Sequence, residues 1–198
     1  MNYLAHAYLS FNNPEILTGN MISDFIKGNK KLNYISGIQK GIMLHRAIDE
    51  FTDNHPATKL AKEFFRKDYR LYSGAFVDIV YDHFLAKDKN EFANDEALKL
   101  FASNTYKLLR NYSAVFPERF DQYFKYMETQ DWLYNYQHTR FIERSFEGLT
   151  KRAMYMSDPT MAANIFAEHY HSLEDCYNNF FSDLKMFAFH HFVEILKN

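Results

Sequence analysis

Four prolines divide this sequence into segments whose lengths suit α-helices. Each stands where a helix can begin, in the pairs Asn13-Pro14, His55-Pro56, Phe116-Pro117 and Asp158-Pro159. Proline is favoured at the first position of a helix, where the N–H that it lacks has no partner in any case. The sequence has no convincing run in which Val, Ile and Thr alternate with polar residues, so no strand is predicted. These features together predict an all-α protein.

The same signals predict where the helices lie. They are expected near residues 2–11, 14–27, 33–53, 56–67, 71–87, 91–112, 117–127, 129–156 and 160–195, and the last two are long enough to be broken. Neither a linker-like composition nor a repeat of fixed period divides the chain. Its 198 residues, 47% of them hydrophobic, are enough for one core. We therefore interpret residues 1–198 as a single compact multi-helix domain.

The composition argues against several classes of function. The formal net charge of -2 provides no basic field for nucleic acid. A membrane span needs about 18 apolar residues in a row, and no such run occurs. The start of the chain lacks the basic residues of a signal peptide. A single cysteine, Cys176, excludes an intramolecular disulfide framework and suits a reducing compartment. The sequence predicts a cytoplasmic protein without nucleic-acid or membrane partners and leaves its oligomeric state open.

The stretch of residues 41–56 concentrates groups that can carry chemistry. On a helix, His45, Asp49 and Asp53 occupy successive i, i+4 positions and share one face. Ile48 lies close to that face, which is therefore partly apolar. An imidazole and two carboxylates in such surroundings destabilise the fold unless something pairs with them. A metal ion would be one such partner, and Arg or Lys side chains would be another.

A second pair of acids, Asp78 and Asp82, is also spaced i, i+4 and lies among apolar residues. Repulsion raises the pKa of one member of such a pair unless a cation lies between them. His6 and Asp24 add further ligand-type groups in the first 90 residues. Oxygen and imidazole ligands from several helices suit Mn²⁺, Mg²⁺ or Fe²⁺. Such an ion activates water and neutralises a phosphoryl oxygen, which indicates phosphoester hydrolysis.

Simpler explanations exist for several of these residues. His6 alone fits a core histidine bonded to a carbonyl group, and Asp49 fits an i, i+3 ion pair with Arg46. Asp24 fits an ion pair with Arg46 or a neighbouring lysine. Asp53 and His55 flank a predicted helix start, so both fit a capping role. These explanations are weakest for His45, Asp78 and Asp82.

Basic residues cluster in one segment of this nearly neutral chain. Residues 59–70 contain five basic and two acidic side chains. Four earlier lysines follow Asp24: Lys27, Lys30, Lys31 and Lys40. Such runs are most often solvated helix faces. Beside a hydrolytic site they would also suit an acidic partner, because charge complementarity steers association.

Five motifs resemble those of a known family. They are MNYLAH at 1–6, GNMISDF at 19–25, GIMLHRAID at 41–49, FTDNHP at 51–56 and YDHFLA at 81–86. In this order and approximate spacing they resemble the acyl carrier protein phosphodiesterase family, whose members are also called acyl carrier protein hydrolases. Residues from about 90 to 195 resemble the family only in length and in their helical, aromatic-rich character.

The resemblance implies an all-α enzyme similar to a divergent branch of the HD-type metal-dependent phosphohydrolases. Such enzymes hydrolyse the phosphodiester that joins 4'-phosphopantetheine to a serine of holo acyl carrier protein. Manganese is the implied metal, and the acidic carrier protein fits the basic segments. The implied functional positions are His6, Asp24, His45, Asp49, Asp78 and Asp82. The chain lacks a His-Asp dipeptide, so ligands cannot be assigned by matching an HD signature.

These observations lead to a specific hypothesis about the site. It places four ligands around a divalent ion: Asp24, His45, Asp78 and Asp82. Four further residues are assigned to the reaction: His6 and His83 as general acids or water-orienting groups, Arg46 as a phosphate clamp, and Asp49 as a secondary ligand. One alternative is an HD-type phosphohydrolase acting on a nucleotide or another small phosphoester. Another is a non-enzymatic helical interaction protein whose acids pair with Lys and Arg.

Overall fold

Helices, turns and loops account for all of the chain that the computed structural model describes, which is residues 1–152 and 159–197. The α-helices are α1 (Tyr3–Tyr8), α2 (Pro14–Ile22), α3 (Ser36–Asn54), α4 (Pro56–Tyr69), α5 (Ser73–Lys87), α6 (Asp95–Arg110), α7 (Glu118–Thr129), α8 (Trp132–Asn135), α9 (Thr139–Arg152), α10 (Pro159–Glu168), α11 (Tyr170–Asn178) and α12 (Phe181–Lys197). The described residues contain no strand, and the predicted all-α class, a single compact helical domain, is confirmed. None of the helices in this part of the chain is long and apolar enough to cross a membrane.

The two longest predicted helices are broken, as expected. The helix predicted near 160–195 is divided into α10, α11 and α12. The one predicted near 129–156 is divided before α9, and its last four residues lie outside the described part of the chain. The helix predicted near 14–27 ends earlier, at Ile22, and continues as a 3₁₀ turn, Ser23–Phe25. This tighter turn carries Asp24.

Local capping explains where two of the helices begin. The side-chain oxygen of Asn13 accepts a hydrogen bond from the Ile16 N–H at 3.1 Å, and Pro14 is the first residue of α2. His55 Nδ1 accepts one from the Ala57 N–H at 3.2 Å, and a proline again opens the helix that follows, α4. Each cap satisfies an N–H group that has no partner within its own helix. The predicted capping role of His55 is thus confirmed.

Helices α2 and α3 cross with their backbones in contact. A Cβ atom at Gly19 would lie 2.0 Å from the Ile38 carbonyl oxygen. A Cβ atom at Gly41 would lie 2.3 Å from the Ile16 carbonyl oxygen. Only glycine fits at such a crossing, because the obstacle is backbone rather than a side chain that can move. The crossing holds the second half of α2, which carries Asn20, against the first half of α3.

Two acids of α5 hold the start of α1. The buried carboxylate of Asp82 accepts hydrogen bonds of 3.2, 2.7 and 3.3 Å from the backbone N–H groups of Asn2, Leu4 and Ala5. The carboxylate of Asp78 accepts one of 2.9 Å from the terminal ammonium of Met1. Carboxyl oxygens at a helix N-terminus satisfy its free N–H groups, although burial raises the pKa of Asp82 to about 7. These contacts anchor α1 across α5.

Aromatic packing fixes α9 against α4 and α5. The rings of Phe65 and Phe76 stack with centroids 5.4 Å apart, and Phe146 meets Phe76 at 5.3 Å. All three side chains are fully buried. Ring contacts of this kind stabilise a core beyond the area that they bury. The packing gives α9 a defined position beside the cleft that opens next to α5.

Candidate metal centre

Two histidine rings from different helices stack at the centre of the site. The rings of His6 in α1 and His45 in α3 have centroids 4.0 Å apart and are inclined by 16°. Both side chains are almost fully buried, at 3% and 5% exposure. Asp49, one turn beyond His45, places one oxygen 3.2 Å from His6 Nε2 and the other 3.1 Å from His45 Nε2. The candidate ligand atoms of these three residues all lie within 4.8 Å of one another.

One buried residue, Asn20, holds both rings in place. Its side-chain oxygen lies 2.8 Å from His6 Nδ1, and its backbone oxygen lies 2.8 Å from His45 Nδ1. Its amide nitrogen donates to the His6 carbonyl oxygen at 2.8 Å and to Ser10 Oγ at 3.1 Å, which fixes the orientation of the amide. Since both Asn20 oxygens are acceptors, each ring donates from Nδ1. Nε2 of each ring is therefore the atom that faces Asp49 and that a metal ion would bind.

This arrangement needs a positive charge between its nitrogen and oxygen atoms. His6 Nε2 is close to Asp49, but it is buried and makes no hydrogen bond to any described residue. A nitrogen lone pair that faces a carboxylate oxygen is unfavourable unless a proton or a metal ion lies between them. Two imidazole nitrogens and a carboxylate, each held by a neighbour, form a donor set that suits a divalent transition-metal ion. The residues present therefore fit a metal.

The proton affinities of the cluster show the same need for a cation. Burial lowers the pKa of His45, but Asp24 and Asp49 outweigh burial and raise it to about 9. Burial and the charge of His45 lower the pKa of His6. Burial opposes ionisation of Asp49, yet the two imidazoles hold its pKa well below its usual range. At neutral pH the cluster thus retains a proton where a metal ion would place its charge.

Asp24 connects the histidine cluster to a large cleft. Its carboxylate lies 3.1 Å from His45 Nε2, and its side chain is 69% exposed. His45 hydrogen-bonds to Asp24 and lowers the pKa of that carboxyl group. Asp24 also lines a cleft of about 1150 Å³ whose other described lining residues include Tyr3, Ile79, Tyr123, Trp132, Arg140 and Arg144. A molecule bound in the cleft would reach the cluster at this carboxylate.

The eight residues predicted for the site fall into two groups. The structure brings four of them together: His6, Asp24, His45 and Asp49. It gives the other four different partners: Arg46, Asp78, Asp82 and His83.

Asp78 and Asp82 pair with the start of α1, as described above, so their partner is the chain itself. The Met1 ammonium lies 2.9 Å from Asp78 and 3.7 Å from Asp49. Burial lowers the pKa of this ammonium, but Asp78 and Asp49 outweigh burial and raise the pKa to about 10. The cation expected near the acid pair is therefore the terminal ammonium. Both acids help to hold α1, and through it His6, in position.

His83 and Arg46 are also engaged elsewhere. His83 Nδ1 donates to the Tyr136 carbonyl oxygen at 2.8 Å, and Nε2 accepts from the Tyr170 hydroxyl at 3.0 Å. Burial lowers the pKa of His83 to about 4, so the ring is neutral with both nitrogens in use. Arg46 is exposed and points Nη2 at the Ile26 carbonyl oxygen, 3.5 Å away. We therefore do not assign His83 the predicted role of general acid, nor Arg46 that of phosphate clamp, in the function proposed below.

The sequence interpretation did not assign a role to Asn20, although this residue holds both histidines. Asn20 lies one turn before Asp24, but asparagine is common in loops and at helix ends, so its position alone did not indicate a role. Its side chain bonds to a residue 14 positions earlier, and its carbonyl bonds to one 25 positions later. Both separations are far longer than the i, i+3 and i, i+4 spacings that bring side chains together on one helix.

Comparisons with known proteins identify the family of this chain. A family model described as acyl carrier protein phosphodiesterase matches residues 1–184. A Yersinia pestis protein named acyl carrier protein phosphodiesterase is 31% identical over 192 residues, covering 96% of this chain and 98% of that protein. Proteins of the same name from Salmonella paratyphi A and Pectobacterium atrosepticum are 30% and 29% identical, covering 91% and 95% of this chain and 94% and 97% of their own lengths. No solved structure matches significantly, so the relation to HD-type enzymes stays a prediction. The chain belongs to the acyl carrier protein phosphodiesterase family.

Proposed function

We propose that this protein hydrolyses the phosphodiester between 4'-phosphopantetheine and a serine of acyl carrier protein, using a divalent cation held by His6, His45, Asp49 and Asp24. The name shared by the relatives supports the substrate. The buried Nε2 of His6, which has no hydrogen bond from any described residue, supports the cation. When bound, the cation supplies Lewis-acid stabilisation of the phosphoryl oxygens and promotes ionisation of water.

The ligand set favours a transition metal. Two imidazole nitrogens suit Mn²⁺ or Fe²⁺ better than Mg²⁺, which prefers oxygen ligands. We propose Mn²⁺, which the family resemblance also implies. Asn20 sets the orientation of both imidazoles, and Asp24 is the ligand that faces the substrate cleft. In the overall reaction a water oxygen bonds to phosphorus, the bond from phosphorus to the serine oxygen breaks, and that oxygen takes up a proton.

The cleft suits the pantetheine arm in both size and chemistry. Its volume of about 1150 Å³ is slightly above the usual range for ligand pockets and leaves room for an extended arm. Four amide side chains line it alongside aromatic rings: Asn2, Gln130, Asn135 and Gln137. Amides can hydrogen-bond to the amides of the arm, and rings can cover its hydrocarbon parts. We therefore assign the cleft to the arm rather than to the carrier protein.

The carrier protein itself would contact the surface that follows Asp24 in the sequence. Lys27 and Lys30 are exposed there, and so are Leu32 and Ile35, at 62% and 55% exposure. A mixed basic and apolar surface suits an acidic protein that docks beside the site. Attraction of this kind weakens as salt rises. We expect turnover of the carrier protein to fall with ionic strength.

The other basic segment, residues 59–70 on α4, is less suited to this contact. Two of its five cations are paired within the protein: Lys62 with Asp53 at 2.7 Å and Arg66 with Glu63 at 2.8 Å. Ion pairs of this kind partly cancel the local positive charge. We therefore assign the main carrier contact to the surface after Asp24.

Two acids on the same helix provide a matched test. Asp49→Asn removes the carboxylate between the histidines, whereas Asp53→Asn changes an exposed acid one turn later that pairs with Lys62. Calorimetry would measure Mn²⁺ binding, and mass spectrometry would follow loss of phosphopantetheine from holo carrier protein. We expect Asp49→Asn to lose both activities and Asp53→Asn to keep both. A folded Asp49→Asn protein with wild-type Mn²⁺ affinity and turnover would contradict the proposed site.

A substrate panel separates this reaction from the nucleotide alternative. The panel contains holo carrier protein, nucleoside mono- and triphosphates, and a simple aryl phosphodiester, each supplied with Mn²⁺. We expect the carrier protein to be cleaved fastest. Faster cleavage of a nucleotide would reject the proposed substrate and leave the metal site intact.

A further inference from the structure

Two arginines, Arg140 and Arg144, line the cleft from α9. They are one helical turn apart, and both line the same cleft as Asp24. Both are exposed. Within residues 1–152 and 159–197, neither arginine forms a salt bridge. Arginines on consecutive turns point to the same side of a helix. They therefore present two guanidinium groups to whatever enters the cleft.

The start of α9 adds to this positive character. His138 and Thr139, around the first residue of the helix, also line the cleft. The first turn of α9 contains no acidic residue. The N-terminus of a helix carries partial positive charge and free N–H groups that favour anions. Among the described lining residues the only carboxylate is that of Asp24, which is engaged with His45.

An anionic substrate needs such a group at this place. A phosphodiester that approaches Asp24 and Asp49 would meet two carboxylates whose charge a single divalent cation only balances. Arg46, which the sequence suggested as the phosphate clamp, is not among the cleft-lining residues and points at a backbone carbonyl. One guanidinium group can donate two parallel hydrogen bonds to two oxygens of a phosphate, a geometry that an ammonium group cannot reproduce.

We propose that Arg140 and Arg144, with the start of α9, bind the phosphate of the 4'-phosphopantetheine group and hold it against the metal centre. This inference rests on the proposed function, because it names the residues that recognise the substrate's phosphate in that reaction. The two arginines orient the phosphodiester while the cleft holds the arm. After cleavage the phosphate carries more negative charge, so the released product should bind to the same two side chains.

Binding of the product gives a test that does not depend on turnover. Calorimetry would compare 4'-phosphopantetheine with pantetheine, which lacks the phosphate, with and without Mn²⁺. The proteins would be the wild type, Arg140→Gln, Arg144→Gln and, as control, Arg119→Gln, an exposed arginine of α7 that does not line the cleft. Loss of one charge-assisted contact should weaken binding of the phosphorylated ligand roughly tenfold or more. Binding of pantetheine should not change, and the control should match the wild type.

Other outcomes would overturn the assignment. Equal binding of 4'-phosphopantetheine by the wild type and both variants would reject a phosphate contact. Unchanged ligand binding together with a raised KM for holo carrier protein would place the arginines at the carrier surface instead. If the wild type binds 4'-phosphopantetheine through these arginines but leaves holo carrier protein intact, the anion site stands and the proposed reaction fails. Arg144→Lys, which keeps the charge but not the paired geometry, should fall between the wild type and Arg144→Gln.

Discussion

Replacing Gly41 with alanine should separate α2 from α3 and loosen the metal centre. The added Cβ atom would lie 2.3 Å from the Ile16 carbonyl oxygen and 2.9 Å from the Gly19 Cα atom. Both neighbours are backbone atoms, so no side-chain rotation can relieve the overlap. The residue after Gly19 is Asn20, whose carbonyl oxygen accepts the His45 hydrogen bond of 2.8 Å. A shift of α2 therefore moves the group that orients His45.

The size of the effect follows from these distances. A carbon atom and a carbonyl oxygen approach to about 3.3 Å in favourable contacts, so the helices must move apart by roughly 1 Å. Overpacking of this kind costs about 1–3 kcal/mol. The higher helix propensity of alanine offsets about 1 kcal/mol of this. The net loss of up to about 2 kcal/mol should lower the melting temperature by up to about 8 °C for a chain of this length.

Gly148 provides the control. It lies within α9, and a Cβ atom there would have no other atom within 4 Å. Gly148→Ala should therefore gain only the propensity of alanine and raise the melting temperature by about 2–4 °C. Thermal unfolding and Mn²⁺ affinity would be measured for both variants. If Gly41→Ala is stabilised like Gly148→Ala, the direct backbone contact between α2 and α3 is refuted.

Three further predictions concern the protons and hydrogen bonds of the site. Because Asp24 and Asp49 raise the pKa of His45 to about 9, Mn²⁺ binding at pH 7.5 should release about one proton. Calorimetry in buffers of different ionisation enthalpy would count the protons released, and a count of zero would contradict the proposed metal site. Asn20→Leu, which removes the side-chain acceptor of His6 Nδ1, should weaken Mn²⁺ binding by about 10–100-fold, whereas Asn179→Leu, at an exposed position, should not. Burial lowers the pKa of His83 from 6.5 to about 4, so the unfolded chain takes up a proton between these values before the folded protein does, and stability is lost as pH falls through this window. Urea unfolding at pH 7.5 and pH 5 should show a loss of about 2 kcal/mol from this residue, and His83→Gln should remove that part of the difference; an equal pH dependence in both proteins would show that His83 titrates normally.

Residues close in sequence were the ones whose relationships could be predicted. The helix starts depend on proline and on a capping side chain within three residues, as at Asn13 and His55. The approach of His45 to Asp49 depends only on the i, i+4 spacing of one helix. Both are local geometry, which a sequence pattern contains in full.

The ligand set could not be completed in the same way. Asp78 and Asp82 have the same i, i+4 spacing on an apolar face as a metal-binding pair would have. Their spacing cannot reveal that α1 packs against this face and supplies its own N–H groups and ammonium as partners. The role of a buried carboxylate depends on which element packs against it, and here that element, α1, lies almost 80 residues away in the chain.

The sequence by itself determined the helical class, the helix starts, the family motifs and the histidine–aspartate pair of α3, because each is set by neighbours along the chain. The tertiary structure alone decided that His6 joins this pair, that Asn20 orients both rings, and that two arginines of α9 line the cleft that Asp24 opens into. These relationships depend on how helices pack. The close glycine crossing of α2 and α3 and the anchoring of α1 on α5 place groups together that no spacing in the sequence relates.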